Sequence, residues 1–142
     1  MSTPPNYGTA TITIPVTTFN LLSTGQQCVI GTMTAAAAGD PRVTINAATN
    51  TIVVKPVAGV TTALNLAFNL SGLNSSYNIA GIIFTGANSS NIFNNQKGDG
   101  TGTVTVTDAL ATVGTWELIV IVQQGSGGNI GLIDPPIEND AE

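Results

Sequence analysis

Residues 61–70 read Thr-Thr-Ala-Leu-Asn-Leu-Ala-Phe-Asn-Leu, in which large apolar side chains occupy every second position from Leu64 onward. Asn65 and Asn69 fall between them. Because successive side chains of an extended chain point in opposite directions, this period of two predicts a strand with one buried face. Phe68 is the largest apolar side chain in the stretch, and we expect it to reach into a hydrophobic core.

Segments with similar alternation lie on both sides of this stretch, separated by turns rich in Gly, Asn and Ser. They are residues 9–16, 27–34, 43–46, 51–55, 77–85, 102–107, 114–124 and 130–133. The connection at residues 47–50 is short, which predicts a hairpin. About eight short antiparallel strands predict a single all-β domain, a β-sandwich of immunoglobulin-like or jelly-roll type.

The predicted sandwich spans residues 9–134. An N-terminal extension (1–8) precedes it, and an acidic C-terminal tail (135–142) follows it. The side chains expected to face the space between the two sheets share an apolar, alternating pattern: Leu66, Phe68, Val104, Val106, Leu118 and Val120. The lone Cys28 has no disulfide partner in the chain and is expected to be a small buried residue.

One strand is apolar on both faces. From Trp116 onward, the face that includes Trp116 is apolar at every position. The opposite face carries Glu117, Ile119 and Ile121. A strand of this kind must be covered on both sides, either by a loop of its own chain or by another subunit. Ile119 and Ile121 are therefore candidate interface residues.

The first strand offers a second candidate interface. Pro15 lacks a backbone N–H, which is typical of edge strands, and an edge presents unpaired donors and acceptors to a neighbour. Thr13 and Pro15 are therefore the other predicted contacts of a self-associating protein.

Charged residues make up only 8% of the chain, where about 25% is usual. Up to residue 133, three basic residues face four acidic ones, which gives a net charge of −1. Three basic residues are too few for the phosphate contacts of a nucleic-acid-binding protein or for a basic membrane-binding patch. A nearly neutral body also opposes self-association only weakly.

No residue pattern points to catalysis, and we expect a protein that is not an enzyme. The chain has no histidine, which removes the usual base of a Ser-His-Asp triad and the commonest zinc ligand. Paired carboxylates remain as an enzyme alternative, but each acid of the body is expected to be solvated at a turn or strand end: Asp40, Asp99, Asp108 and Glu117. No cofactor is expected.

Calcium is an alternative to a plain turn near Asp99, because Asn94 and Asn95 could supply further oxygen ligands. The N-terminus lacks the basic and apolar regions of a signal peptide, and no apolar run is long enough to insert into a membrane. We therefore expect a protein that is cytoplasmic or is released by a non-standard route.

A carbohydrate-binding module is the alternative to a self-associating protein. Sugar rings stack on exposed aromatic side chains, and Tyr77, beside an Asn- and Ser-rich turn, is the better candidate. Trp116 is a second candidate, although its place on an apolar strand face favours the core.

Residues 133–139 read Ile-Asp-Pro-Pro-Ile-Glu-Asn. This segment resembles the terminal Asp-Pro-x-Ile-x-Asn signature of small bacterial proteins called the DP-EP family. The matching positions are Asp134, Pro135, Ile137 and Asn139. The family has no assigned activity, so the resemblance implies a β-fold and a bacterial or phage-like origin and gives no catalytic residue. The leading hypothesis is a non-enzymatic structural or interaction module that self-associates into homo-oligomers.

Overall fold

The computed structural model describes residues 6–86, 96–97, 103–110, 113–125 and 128–140. In these residues the chain forms a 3-10 helix at Leu22–Thr24 and twelve strands: β1 (Thr9–Thr18), β2 (Val29–Ile30), β3 (Thr34–Ala35), β4 (Val43–Asn46), β5 (Thr51–Val54), β6 (Leu64–Ser71), β7 (Tyr77–Thr85), β8 (Gln96–Lys97), β9 (Thr103–Asp108), β10 (Gly114–Gln124), β11 (Ile130–Ile133) and β12 (Pro136–Asn139). Across these described ranges, no helix is long and apolar enough to span a membrane.

The strands form two sheets that pack against each other, which confirms the all-β sandwich. In the five-stranded sheet the order is β2-β1-β6-β9, and β3 also pairs with β1. In the seven-stranded sheet it is β4-β5-β12-β10-β7-β8, and β11 also pairs with β10. The predicted hairpin is confirmed as β4 and β5, in which Thr44 pairs with Val53.

The core between the sheets consists of the apolar faces that alternation predicted. On β6, Leu64, Leu66 and Phe68 are completely buried, whereas Asn65 and Asn69 are not. The whole predicted core set is buried: Leu66, Phe68, Val104, Val106, Leu118 and Val120. Cys28 is also buried, as expected. The period of two therefore gave the correct inward face.

The expectation of purely antiparallel strands is wrong. β1 runs parallel to β6, and β12 runs parallel to β5. The first of these pairs brings Ile12 beside Phe68, so that two fully buried side chains become neighbours. Residues 27–34, predicted as one strand, form the separate short strands β2 and β3.

The prediction that β1 is an edge strand is also wrong. β6 pairs with one side of β1, and β2 and β3 pair with the other. The carbonyl of Pro15 accepts a hydrogen bond from the Gly31 N–H, 2.8 Å away, at the interruption between β2 and β3. Proline has no backbone N–H to donate, but Pro15 lies opposite this interruption, so no hydrogen bond between paired strands is lost. Thr13 pairs with Thr34 and Asn69, so its backbone does not form a free edge.

The expected acidic tail is in part a central strand. β12 lies between β5 and β10, and Ile137 is completely buried. Pro136 is its first residue, a position at which a strand tolerates proline. The Asp140 N–H donates to the carbonyl of Val54, 2.8 Å away, so the sandwich extends to residue 140 instead of ending at 134.

Candidate functional site

The outer face of the seven-stranded sheet carries a continuous group of aliphatic side chains, here called the outer apolar patch. Its members come from β7, β10 and β11: Ile83, Ile119, Ile121, Ile130 and Leu132. Ile83 is 39% exposed and Ile130 38%, and the other three are half-buried. Strand register makes them neighbours, because Ile119 pairs with Ile83 and Ile121 pairs with Leu132.

Two local features of the pairing between β7 and β10 lie beside the patch. Ile121 lies opposite Gly81 on β7, and glycine adds no side chain that could cover it. The register between β7 and β10 shifts just after Ile121, so the pairing of the two strands is irregular at this point. None of the five members is charged, and Glu117, exposed on the same face of β10, marks one end of the patch.

Sequence reasoning found Ile119 and Ile121 but missed the other three members. Ile83, Ile130 and Leu132 lie on strands that, taken singly, do not show where they pair. Three consecutive apolar residues at the end of β7 (Ile82-Ile83-Phe84) were a signal that one of them must face outward.

The aromatic candidates for sugar stacking are not presented on the surface. Trp116 is 4% exposed and belongs to the core, as its strand face indicated. Tyr77 is partly buried, and its ring packs edge-to-face on Phe19 with 5.0 Å between ring centroids. The expectation of an exposed Tyr77 is therefore wrong.

A buried ion pair lies at one end of the sandwich, where the turn before β4 meets the start of β1. Arg42 Nη2 is 2.6 Å from Asp40 Oδ2, and both side chains are completely buried. Arg42 Nη1 also donates to the carbonyl of Thr62 at 2.9 Å, and the guanidinium carbon lies 5.3 Å from the centre of the Tyr7 ring. The Gly8 N–H donates to Asp40 Oδ2 at 2.8 Å.

These contacts overturn the expectation that Asp40 is a solvated acid. Burial by itself would raise the pKa of Asp40, but hydrogen bonds from the Arg42 side chain and from the Gly8 and Arg42 amides outweigh it. The pKa of Asp40 is therefore lowered from its ordinary value of 3.8. The carboxylate is held in its charged form, and the ion pair that it forms with Arg42 ties together three separate chain segments.

Asp108 is buried as well, again contrary to expectation. Its Oδ1 accepts hydrogen bonds from the Leu110 N–H at 2.9 Å and from Asn139 Nδ2 at 3.0 Å. Burial raises the pKa of Asp108, and those two hydrogen bonds and the charge of Arg42 oppose the increase only in part. Glu117 is exposed, as predicted.

Within residues 6–86, 96–97, 103–110, 113–125 and 128–140, no group of three or more His, Cys, Asp or Glu side chains forms a metal site. The calcium candidates Asp99, Asn94 and Asn95 lie outside the described residues.

A scan against models of known protein families finds no match to this chain. A search of curated proteins finds no match either.

Proposed function

We propose that this protein is a non-enzymatic structural module that associates with a second copy of itself through the outer apolar patch. The observation that carries the proposal is the contiguity of five aliphatic side chains across three strands of one sheet face. Removing apolar surface from water stabilises an association by about 25 cal/mol per Å². The two most exposed members, Ile83 and Ile130, have the most surface to lose.

Electrostatics favours a second copy as the partner. The patch contains no charge, so pairing it with itself requires no desolvation of an ion within it. The same patch exists on every copy, and a twofold axis can therefore bring it against itself. The chain carries a net charge of −5 at pH 7, and four of its eight acids lie at residues 134–142, outside the five members of the patch.

No observation favours the carbohydrate alternative. Trp116 lies in the core, and Tyr77 already packs against Phe19. A relation to the DP-EP family is part of the proposal, on the match at four C-terminal positions. Ile137 and Asn139, two of these, are buried in the sandwich, so the motif supports a structural role.

Replacing Ile83 by lysine is expected to weaken self-association at least about tenfold, because the interface would have to bury or repel a new charge. Ile83 is already 39% exposed, so the folded monomer can place the lysine in water. The measurement is size-exclusion chromatography with light scattering over a range of concentrations.

Thr105→Lys is the matched control, since Thr105 is an exposed residue of a strand in the other sheet. This variant should associate as the wild type does. Ile119→Lys repeats the test at a half-buried member of the patch. A wild type that stays monomeric at high concentration, or two lysine variants with equal effects at Ile83 and Thr105, contradicts the proposal.

A further inference from the structure

The ends of two strands from different sheets meet through a pair of buried side chains. Asp108 is the last residue of β9 in the five-stranded sheet, and Asn139 is the last residue of β12 in the seven-stranded sheet. Each is 2% exposed. The hydrogen bond from Asn139 Nδ2 to Asp108 Oδ1, 3.0 Å long, therefore joins the two layers of the sandwich.

The other polar atom of each side chain is buried and has no hydrogen-bond partner among the residues that the structure describes. These atoms are Asp108 Oδ2 and Asn139 Oδ1. With an ionised Asp108, both are acceptors, so neither can satisfy the other. The great majority of buried polar atoms in proteins have a hydrogen-bond partner, so two unpaired atoms on neighbouring groups require an explanation.

A single proton would pair both atoms at once. A carboxyl and a side-chain amide are planar groups, each with two polar atoms on one carbon, and they can form two parallel hydrogen bonds when one carboxyl oxygen is protonated. One of these two bonds is present in the structure. We propose that Asp108 takes up a proton from solvent on Oδ2 and donates it to Asn139 Oδ1, which closes a two-bond latch between the sheets.

The surroundings of Asp108 include groups that are unfavourable for this proton. Arg42 is the cation that opposes protonation, but its guanidinium is bound to Asp40 and to the carbonyl of Thr62. The Leu110 N–H also favours the ionised form. On β12, Glu138 and the following Asp140 flank Asn139 in the chain, and Glu138 lies on the opposite face of the strand from Asn139.

The direction of the pH effect follows from burial. Since burial raises the pKa of Asp108 above its ordinary value, the folded protein holds this proton more tightly than the unfolded chain. The latch then contributes stability that is complete below pH 3.8 and is lost as pH rises through the raised pKa. Asp40 has the opposite dependence, because its pKa is lowered.

Carbon-13 NMR of the side-chain carboxyls over a pH series tests the proposal directly. We expect the Asp108 carboxyl to titrate above 3.8 in the folded protein. A titration at or below that value would overturn the proposal, and it is the result expected if a buried water molecule bridges the two oxygens and Asp108 stays ionised.

Asp108→Asn gives a second, independent test. The new amide carries permanent N–H donors in place of the pH-dependent O–H, so it can close the latch at every pH. We expect the variant to unfold at a higher urea concentration than the wild type at mildly alkaline pH, with the difference shrinking as pH falls toward 3.8. Glu117→Gln removes the same charge at an exposed position and should show no such pattern. An Asp108→Asn variant no more stable than wild type at alkaline pH contradicts the latch.

Discussion

Phe68→Ala is expected to lower the free energy of unfolding by about 3–5 kcal/mol, the usual cost of removing a large aromatic side chain from a core. Phe68 is completely buried on β6, at the centre of the five-stranded sheet. Its register partners are Ile12 on β1 and Val104 on β9, both buried. The cavity would lie in the core between the two sheets, where the hydrogen bonds of the strands limit how far they can move to fill it.

Urea unfolding followed by circular dichroism measures this effect. Leu22→Ala is the control, because Leu22 is 48% exposed and its truncation should change stability by no more than about 0.5 kcal/mol. A loss below about 1 kcal/mol for Phe68→Ala would contradict its place in the core.

Arg42→Met is expected to cost about 3–5 kcal/mol, because it leaves the buried Asp40 carboxylate without its counter-ion. The guanidinium makes the 2.6 Å contact to Asp40 and also donates to the Thr62 carbonyl, so a second acceptor loses its partner. The double variant Asp40→Asn with Arg42→Met should recover part of this loss, since no buried charge then remains unpaired.

The pH dependence of unfolding distinguishes the stability that is lost with the ion pair from the stability that is lost with the packing of the Arg42 side chain. The lowered pKa of Asp40 means that the ion pair stabilises the fold above pH 3.8, and this contribution is lost as pH falls through the lowered value. Asp40→Asn should remove that dependence. A decrease in the free energy of unfolding of less than about 1 kcal/mol for Arg42→Met would contradict the view that an unpaired Asp40 carboxylate destabilises the fold. So would a double variant that is no more stable than Arg42→Met alone.

The local sequence pattern was sufficient to predict a strand where apolar and polar residues alternate within the segment itself. The bounds of β7 and β10 and the inward face of β6 were predicted correctly, because a period of two is a property of the segment itself. The local pattern failed for β12, because the segment 134–142 that contains it has two prolines and four acids, a composition typical of a tail. The burial of Ile137 between two neighbouring strands outweighs those local signals.

By itself the sequence determined the all-β class, the inward-facing side chains and the two-sided character of β10, since each follows from side-chain polarity along a short extended segment. Only the tertiary structure decided which strands are neighbours, and hence that Ile83 lies beside Ile119 in one patch. It also decided that Asp40 and Asp108 are buried, because their partners Gly8 and Asn139 are distant in the chain. Burial of a charge depends on contacts between such distant segments, and no local pattern records them.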